Sequence, residues 1–363
     1  MTVPTSPRAW PGAAEDAGGA AFDVVCLGES MVTFVPSVPG RLADVPSFHR
    51  AIGGAESNVA CTLARTGHRA RWISRVGADG FGDHLVATIA AAGVDVSAVQ
   101  RDPHRPTGIY FRTAGERATG PEAGPERAEV VYYRAGSAAS ALSPDLVARA
   151  DAWSGRVLHL TGITPALSAD AMALTRRLTR REPGRPLVSF DVNHRPALWR
   201  DADPRVCVDL ARGCDLVFVG EDEAQAAWGL PDADAIRAAL PEPETLVVKQ
   251  GAAGATVFSG GERLRVPGLA VDVVAHVGAG DAFAAGYLSA ALRGLPVRDR
   301  VRHGHVLAAA ALTEPGDLGT PPSRAHADAL VALDDAAWGR LRLGAGWTAA
   351  DQQTAGVGEE EPR

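Results

Sequence analysis

Short apolar runs alternate along this chain with segments in which apolar residues recur at the period of a helix. Apolar strands separated by helices are typical of a parallel sheet that is covered on both faces. Strands are predicted on this basis at residues 22–28, 70–77, 155–162, 185–193, 214–220 and 244–251, and helices at 55–67 and around 168–181 and 221–229. In such α/β sheets ligands bind at the carboxyl ends of the strands, so we expect the functional site there.

Two regions interrupt this alternation. Residues 31–52 and 105–135 are rich in β-branched and aromatic residues, as in TGIYFRT and AEVVYYR, with a polar Gly/Pro loop, AGERATGPEAGPERA, between these two segments. The pattern indicates antiparallel strands inserted into the α/β body. A small sheet beside a larger domain could act as a lid.

Composition and charge narrow the class of protein. The chain has 363 residues, 46% of them hydrophobic, and a formal net charge of −7 at pH 7. This acidic balance offers no basic surface for nucleic acid. No apolar run reaches the roughly 18 residues of a membrane span. We therefore expect neither a nucleic acid nor a membrane as a partner.

The termini and the cysteines favour a cytoplasmic enzyme. Residues 1–20 lack the long apolar segment of a secretion signal, and we expect a disordered extension there and a flexible acidic tail over 345–363. The four cysteines, Cys26, Cys61, Cys207 and Cys214, show no C-x-x-C spacing, and three of them lie in apolar segments where a reduced, buried thiol is the expected state.

The segment HVGAGDAFAAG, residues 276–286, places three small residues directly before a carboxylate and an Ala-rich helix. The free amides and the dipole of a helix N-terminus attract anions, phosphate above all. Asp281 would then accept a proton from an attacking hydroxyl, while the amides near Gly278, Ala279 and Gly280 hold the developing phosphate charge. The alternative is an aspartate that only caps the helix.

Two further segments place polar groups where a ligand is expected. In GGAESNVA, Gly53 and Gly54 precede a helix that bears Asn58, whose amide can bind hydroxyls. In SFDVNHRPALW, a strand ends in Asp191, Asn193 and Arg195, which places polar groups at the carboxyl edge of the sheet, and the arginine can hold a carboxylate or a phosphate through two donors. The alternative for the first segment is an ordinary junction between a loop and a helix, and we expect His194 to be a packing or surface residue.

Two β-rich segments complete the pattern. In VVYYRAGSAAS, strand periodicity places Tyr132 and Arg134 on one face and Tyr133 on the other. The segment VVKQGAAGATVF has a Gly-rich turn between two strands and could form a floor for a base or a ribose. Taken separately, the two segments are a structural strand and a hairpin.

These five segments, in this order, resemble the PfkB (ribokinase-like) carbohydrate kinases over about residues 22–335, most specifically in GAGDAFAAG. YYRAGSAAS, DVNHRPALW and LGESMVTF are most similar to kinases that act on 2-keto-3-deoxygluconate. The resemblance implies a three-layer α/β/α fold in a kinase domain over 21–340, with a β-lid. It also implies transfer of the γ-phosphoryl group of Mg·ATP to a sugar hydroxyl.

The resemblance assigns a role to each matching residue. Asp281 would be the base, with Gly278, Ala279 and Gly280 at the anion hole. The sugar acid would be held by Gly53, Gly54, Asn58, Tyr110, Tyr132, Arg134, Arg195 and Asp317. The nucleotide would be held by Asn193, Lys249, Gly251, Gly254, Gly278 and Gly280. Glu223 would contact Mg²⁺ through water.

The sequence departs from the family pattern at two cation-related positions. Ala275 and His276 stand where the family commonly has an aspartate near a monovalent cation, so we predict weak or absent K⁺ activation unless Asp272 compensates. Gly220 replaces the asparagine of an N-x-x-E pattern, so Mg²⁺ would depend more on water and ATP oxygens than on Glu223.

Two other functions stay open. One is a kinase for a neutral sugar such as fructose or ribose, or for a nucleoside. The other is a sugar- or nucleotide-binding regulator that has lost catalysis, which the two departures would explain. Because an inserted sheet has exposed edges, we also expect a homodimer that pairs through the lid.

Overall fold

The computed structural model describes residues 20–113, 129–200 and 203–349. The predicted Gly/Pro loop at 114–128 and most of both predicted terminal extensions lie outside these ranges. The strands are Phe22–Leu27 (β1), Met31–Pro36 (β2), Phe48–Gly53 (β3), Ala70–Ile73 (β4), Arg75–Gly77 (β5), Gln100–Asp102 (β6), Ile109–Arg112 (β7), Val130–Tyr133 (β8), Gly155–Thr161 (β9), Leu187–Asp191 (β10), Leu216–Gly220 (β11), Thr245–Lys249 (β12), Ala255–Ser259 (β13), Glu262–Val266 (β14), Ala270–Val271 (β15) and Arg342–Leu343 (β16).

Helices connect most of the predicted body strands. They are Ala55–Arg65 (α1), Gly80–Ala91 (α2), Arg149–Ala152 (α3), Ala169–Thr179 (α4), Val206–Arg212 (α5), Glu221–Trp228 (α6), Ala233–Ala239 (α7), Ala279–Leu292 (α8), Val297–Leu312 (α9), Arg324–Val331 (α10) and Asp335–Arg340 (α11). No helix in the described part of the chain combines the length and the apolar character needed to cross a membrane.

The main sheet has eight strands in the order β14-β13-β12-β11-β10-β9-β1-β4. The strands from β4 to β12 run parallel, and β13 and β14 extend the sheet as antiparallel hairpins. Alternate residues of β1 enter two different cores, since Val24 packs with residues of α1 and α8 while Val25 packs with residues of α4 and α5. This arrangement confirms the predicted three-layer α/β/α fold.

The inserted strands form a separate four-stranded sheet in the order β3-β2-β7-β8, which we call the lid sheet. The prediction of purely antiparallel strands was wrong, because β2 and β7 run parallel. Two helices, α1 and α2, and four strands, β3 to β6, lie between β2 and β7 along the chain, so the chain has room to return in the same direction.

Two predicted boundaries also differ from the structure. The single strand predicted at 70–77 is two strands, because β4 joins the main sheet whereas β5 pairs with β6 in a small sheet of its own. Near the carboxyl end, the indole Nε1 of Trp347 donates to the hydroxyl of Thr313 at 3.1 Å. Trp347 therefore still contacts the body, although the tail was predicted to begin at 345.

Candidate active site

A cleft of about 840 Å³ lies between the carboxyl edge of the main sheet and the lid sheet. Every residue that the sequence analysis singled out for a site lines this cleft. They are Gly53, Gly54, Asn58, Tyr110, Tyr132, Arg134, Asn193, Arg195, Glu223, Lys249, Gly251, Gly254, Gly278, Ala279, Gly280, Asp281 and Asp317. The structure therefore brings the predicted site together, while the individual roles stay predictions.

The first turn of α8 forms one wall of the cleft. Its N-cap is Gly278, which has a φ of 75°, and a Cβ there would lie 2.1 Å from the main-chain oxygen of Asp317. Glycine is required by both the left-handed conformation and this close approach. Asp281 is the third residue of the helix, so the alternative of a capping aspartate was wrong, and the first amides are left for a ligand.

The carboxyl group of Asp281 faces the cleft beside α1. The side-chain amide of Asn58 donates to its Oδ2 at 2.8 Å. Removal of the carboxyl from bulk water raises the pKa of Asp281 to about 7, against the lowering effects of the Asn58 hydrogen bond and of Arg195 and Lys249. A carboxylate with a pKa near neutrality is suited to accept a proton.

A lysine and an aspartate meet at the carboxyl ends of β12 and β10. The Nζ of Lys249 lies 2.8 and 3.0 Å from the two carboxylate oxygens of Asp191. Burial opposes the charged form of Lys249, but Asp191 and Glu223 outweigh it and raise its pKa above the usual value. The ammonium group therefore stays charged beside the cleft.

The segment after β10 has an unusual backbone. Asn193 has a φ of 39°, the only positive φ of a residue other than glycine in the described ranges. Such residues cluster at functional sites, where the surrounding structure holds them. The next residue, His194, is buried, as expected for a packing residue.

The lid sheet supplies aromatic and cationic groups to the other wall. The rings of Tyr110 and Tyr132 lie 5.4 Å apart on paired strands. The Tyr110 hydroxyl donates to Oδ2 of Asp317 at 2.5 Å, and Arg112 donates to the other oxygen at 2.8 Å. Arg134 pairs with Glu29, so the cation expected to hold a sugar acid already has an anionic partner.

The residues near the expected cation sites have defined partners. Oε2 of Glu223 accepts a hydrogen bond from the amide of Gly220 at 3.1 Å, and Asp272 pairs with Arg342 at the surface. Within residues 20–113, 129–200 and 203–349, no group of three or more histidine, cysteine or acidic side chains is placed to hold a metal ion. Glu223 nevertheless lines the cleft next to Glu221 and Asp222. Because Mg²⁺ keeps several of its waters and needs only one or two carboxylates from the protein, Glu223 fits the water-mediated contact expected of it.

The sequence analysis gave no role to three charged residues that pair with predicted site residues. Asp191 was recognised only as a polar strand end, and Glu29 only as part of LGES. Both follow the rule that polar residues at the carboxyl ends of parallel strands face the ligand. Arg112 carries no such signal, because only the folded lid brings it to Asp317.

A family model described as pfkB family carbohydrate kinase matches residues 21–324 of the chain. The 2-dehydro-3-deoxygluconokinase of Bacillus subtilis is 37% identical over 84% of this chain and 93% of its own length. The enzyme of the same name from Thermoproteus tenax is 34% identical over 86% of this chain and 95% of its own length.

A solved structure gives the same result for the fold. The PfkB protein from Polaromonas sp. superposes with a TM-score of 0.74 at 36% identity and covers 85% of this chain and 100% of its own. The resemblance predicted from GAGDAFAAG and the four other segments is thus confirmed. This chain belongs to the pfkB family of carbohydrate kinases.

Proposed function

We propose that this chain transfers the γ-phosphoryl group of ATP to a hydroxyl group of a sugar acid, with 2-keto-3-deoxygluconate as the substrate and its 6-phosphate as the product. The observation that carries the proposal is the first turn of α8. There a carboxyl group with a pKa of about 7 lies next to unpaired helix amides at the wall of one cleft.

The site residues act on two parts of the reaction, the attacking hydroxyl group and the transferred phosphoryl group. Asp281 accepts the proton of the attacking hydroxyl, and Asn58 orients its carboxylate. The amides of the first turn of α8 stabilise the charge on the transferred phosphoryl group. Lys249 contributes positive charge from the main sheet. Mg²⁺, when bound near Glu223, would neutralise phosphate charge.

The sugar-acid specificity rests on the cations of the cleft and on the relatives. Arg134 and Arg195 both line the cleft, and guanidinium groups bind carboxylates through two parallel donors. The names of the B. subtilis and T. tenax relatives specify a sugar acid of this type.

A neutral sugar is the second candidate, because Glu29 already balances the charge of Arg134. The variant Arg134→Ala separates the two. We expect it to raise KM for a sugar acid, whereas an unchanged KM for the acid would contradict the acid assignment.

The decisive measurement is ADP release, coupled to NADH oxidation, over a panel of sugar acids, neutral sugars and nucleosides. We expect the highest kcat/KM with 2-keto-3-deoxygluconate. A preference for fructose or ribose would support the second candidate. Ligand binding without ADP release would identify a binding protein instead.

We further propose that two copies pair through the face of the lid sheet that points away from Tyr110 and Tyr132. The rings of Phe34, Phe48 and Tyr133 contact the ring of Phe111 there, with centroids 4.9 to 6.0 Å apart. Tyr133 is 63% exposed. Phe34, Phe48 and Phe111 are half-buried, and a partly exposed aromatic cluster of this kind is typical of protein interfaces.

A further inference from the structure

Two buried pairs of a guanidinium and a carboxylate join the lid sheet to the body. Glu29, directly after β1 and Gly28, pairs with Arg134, directly after β8. Arg112 of β7 pairs with Asp317, which lies between α9 and α10. None of these four side chains is more than 10% exposed. In each pair, one member comes from the lid and the other from the body.

We propose that Glu29 and Arg112 are positioning residues, which fix Arg134 and Asp317 in the orientations that bind the sugar. This inference rests on the proposed function, in which Arg134 and Asp317 contact the substrate. It adds that each contact residue is held by an oppositely charged residue that does not itself bind the sugar.

Glu29 has both carboxylate oxygens engaged. Oε1 accepts from the hydroxyl of Ser137 at 2.6 Å, and Oε2 accepts from Nη2 of Arg134. The side chain of Glu29 is 1% exposed, although the residue borders the cleft. The guanidinium of Arg134 also lies 5.6 Å from the ring centre of Tyr132. Arg134 is thus held from two sides.

Arg112 makes the second of the two buried contacts between the lid sheet and the body. It lies outside the cleft lining, but its Nη2 donates to Oδ1 of Asp317 at 2.8 Å. The hydroxyl of Tyr110 binds the second oxygen, so one lid strand holds the whole carboxylate. A Cβ at Gly53 would lie 2.2 Å from that second oxygen, so the carboxylate is also confined by β3.

The main chain of Asp317 extends this contact to the catalytic turn, since its carbonyl oxygen lies against Gly278. The pair of Arg112 and Asp317 therefore connects the lid sheet with the start of α8. In a buried pair, removing one partner leaves the other charge uncompensated and free to reorient.

The two positioning residues have opposite charges, and this gives a test that charge alone cannot imitate. If the two residues acted only through their electrostatic charge, Glu29→Gln would lower KM for an anionic sugar and Arg112→Gln would raise it. If both residues position their partners, both variants raise KM for the sugar by about 10- to 100-fold, with KM for ATP nearly unchanged. For a neutral sugar, a purely electrostatic effect predicts no change in KM, whereas a loss of positioning still raises KM.

The controls use the same substitutions at the exposed edge of the main sheet. Glu262→Gln and Arg263→Gln on β14 should leave both KM values unchanged. Arg112→Lys retains the charge but not the planar fork, and Ser137→Ala releases Oε1 of Glu29 without altering its charge. If Arg112→Gln fails to fold, as judged by thermal unfolding, these two variants test the same pairs and should also raise KM for the sugar.

The outcomes separate this inference from the proposed function. The preferred acceptor of the unchanged protein decides the function, and the variants are then measured with that acceptor, whichever it is. A lower or unchanged KM for the sugar in Glu29→Gln would overturn the role of Glu29. If KM rose in parallel for ATP and for the sugar, and thermal stability fell strongly, the two pairs would only stabilise the fold and the positioning role would be wrong.

Discussion

At the residue scale, the site places its charges in pairs but leaves one carboxyl poised to change its charge. Asp191 is held by Lys249, and Asp317 by Arg112. Asp281 instead receives one hydrogen bond from a neutral amide, and removal of its carboxyl from bulk water raises its pKa to about 7. The chemistry is thus concentrated on the Asp281 carboxyl group, which can accept a proton near neutral pH.

The variant Asp281→Asn tests this assignment. We expect kcat to fall by roughly 10²- to 10⁴-fold, the contribution of a general base, while the amide keeps the shape of the side chain. Nucleotide binding, measured by calorimetry, should be nearly intact. Near-normal turnover in this variant would remove Asp281 from the mechanism.

The pH dependence of kcat/KM is the second prediction at this scale. A base acts only when deprotonated, so kcat/KM should rise with pH below about 7 and level off above it. Burial also raises the pKa of Glu56 to about 7, but Glu56 does not line the cleft. Glu56→Gln should therefore keep the same acidic limb of the pH profile. If that limb disappeared in Glu56→Gln, it would have to be assigned to Glu56 and not to Asp281.

The sequence predicted individual site residues where a chemically suitable side chain lies within a recognisable local motif. Asp281, Asn58 and Lys249 follow short glycine-rich or strand-end signals, so their place in one cleft could be predicted. The partners Glu29 and Arg112 could not be assigned, because each acts through a residue more than 100 positions away. Such pairings depend on the docking of the lid sheet on the body.

At the element scale, the start of α8 depends on two glycines, Gly278 and Gly280, for different reasons. Gly278 has a left-handed backbone and touches Asp317, whereas Gly280 faces the cleft, where the nearest atom to an added Cβ is Nζ of Lys249 at 3.6 Å. The first glycine is needed by the fold. Gly280 is not needed by the fold, but it leaves space beside the helix N-terminus for a ligand.

The pair Gly280→Ala and Gly278→Ala tests this distinction. Gly280→Ala should keep or slightly raise thermal stability, since alanine favours a helix, but lower turnover by about 10²-fold through displacement of the phosphate. Gly278→Ala should lose about 1–2 kcal/mol of stability or more, because of its φ and the contact with Asp317. Unaltered kinetics in Gly280→Ala would show that no ligand group approaches that turn.

The predicted elements differ from the structure where a local pattern fits more than one pairing. The run at 70–77 is continuous in hydrophobicity, yet β4 and β5 separate because they pair with different neighbours. Likewise, alternation predicted the lid strands but not the parallel pairing of β2 with β7. Period-2 patterning specifies which face is buried, but not the direction of the neighbouring strand.

At the scale of the whole molecule, the lid sheet has two faces with different tasks. Tyr110 and Tyr132 face the cleft, while Phe111, Val131 and Tyr133 face away from it. The proposed dimer would cover the second face and thereby support the first. Closure of a lid over the cleft would also exclude water from the phosphoryl group.

The variant Tyr133→Glu tests the dimer. A charge at this 63% exposed position should convert a dimer into a monomer in sedimentation or light-scattering measurements, because it would be desolvated in an apolar interface. Leu146→Glu, at a position 38% exposed outside the lid sheet, should leave the mass unchanged. A wild-type chain that is monomeric at micromolar concentration would contradict the proposal.

The hydrogen bond between Asn58 and Asp281 spans 223 positions of sequence. During synthesis on the ribosome, the growing chain therefore exposes α1, the helix that bears Asn58, long before the Asp281 carboxylate has been made. An amino-terminal fragment that stops short of α8 lacks both the Asp281 carboxyl group and the helix amides beside it. Activity should therefore appear abruptly in a series of nascent chains of increasing length, only once α8 and Asp317 have left the exit tunnel.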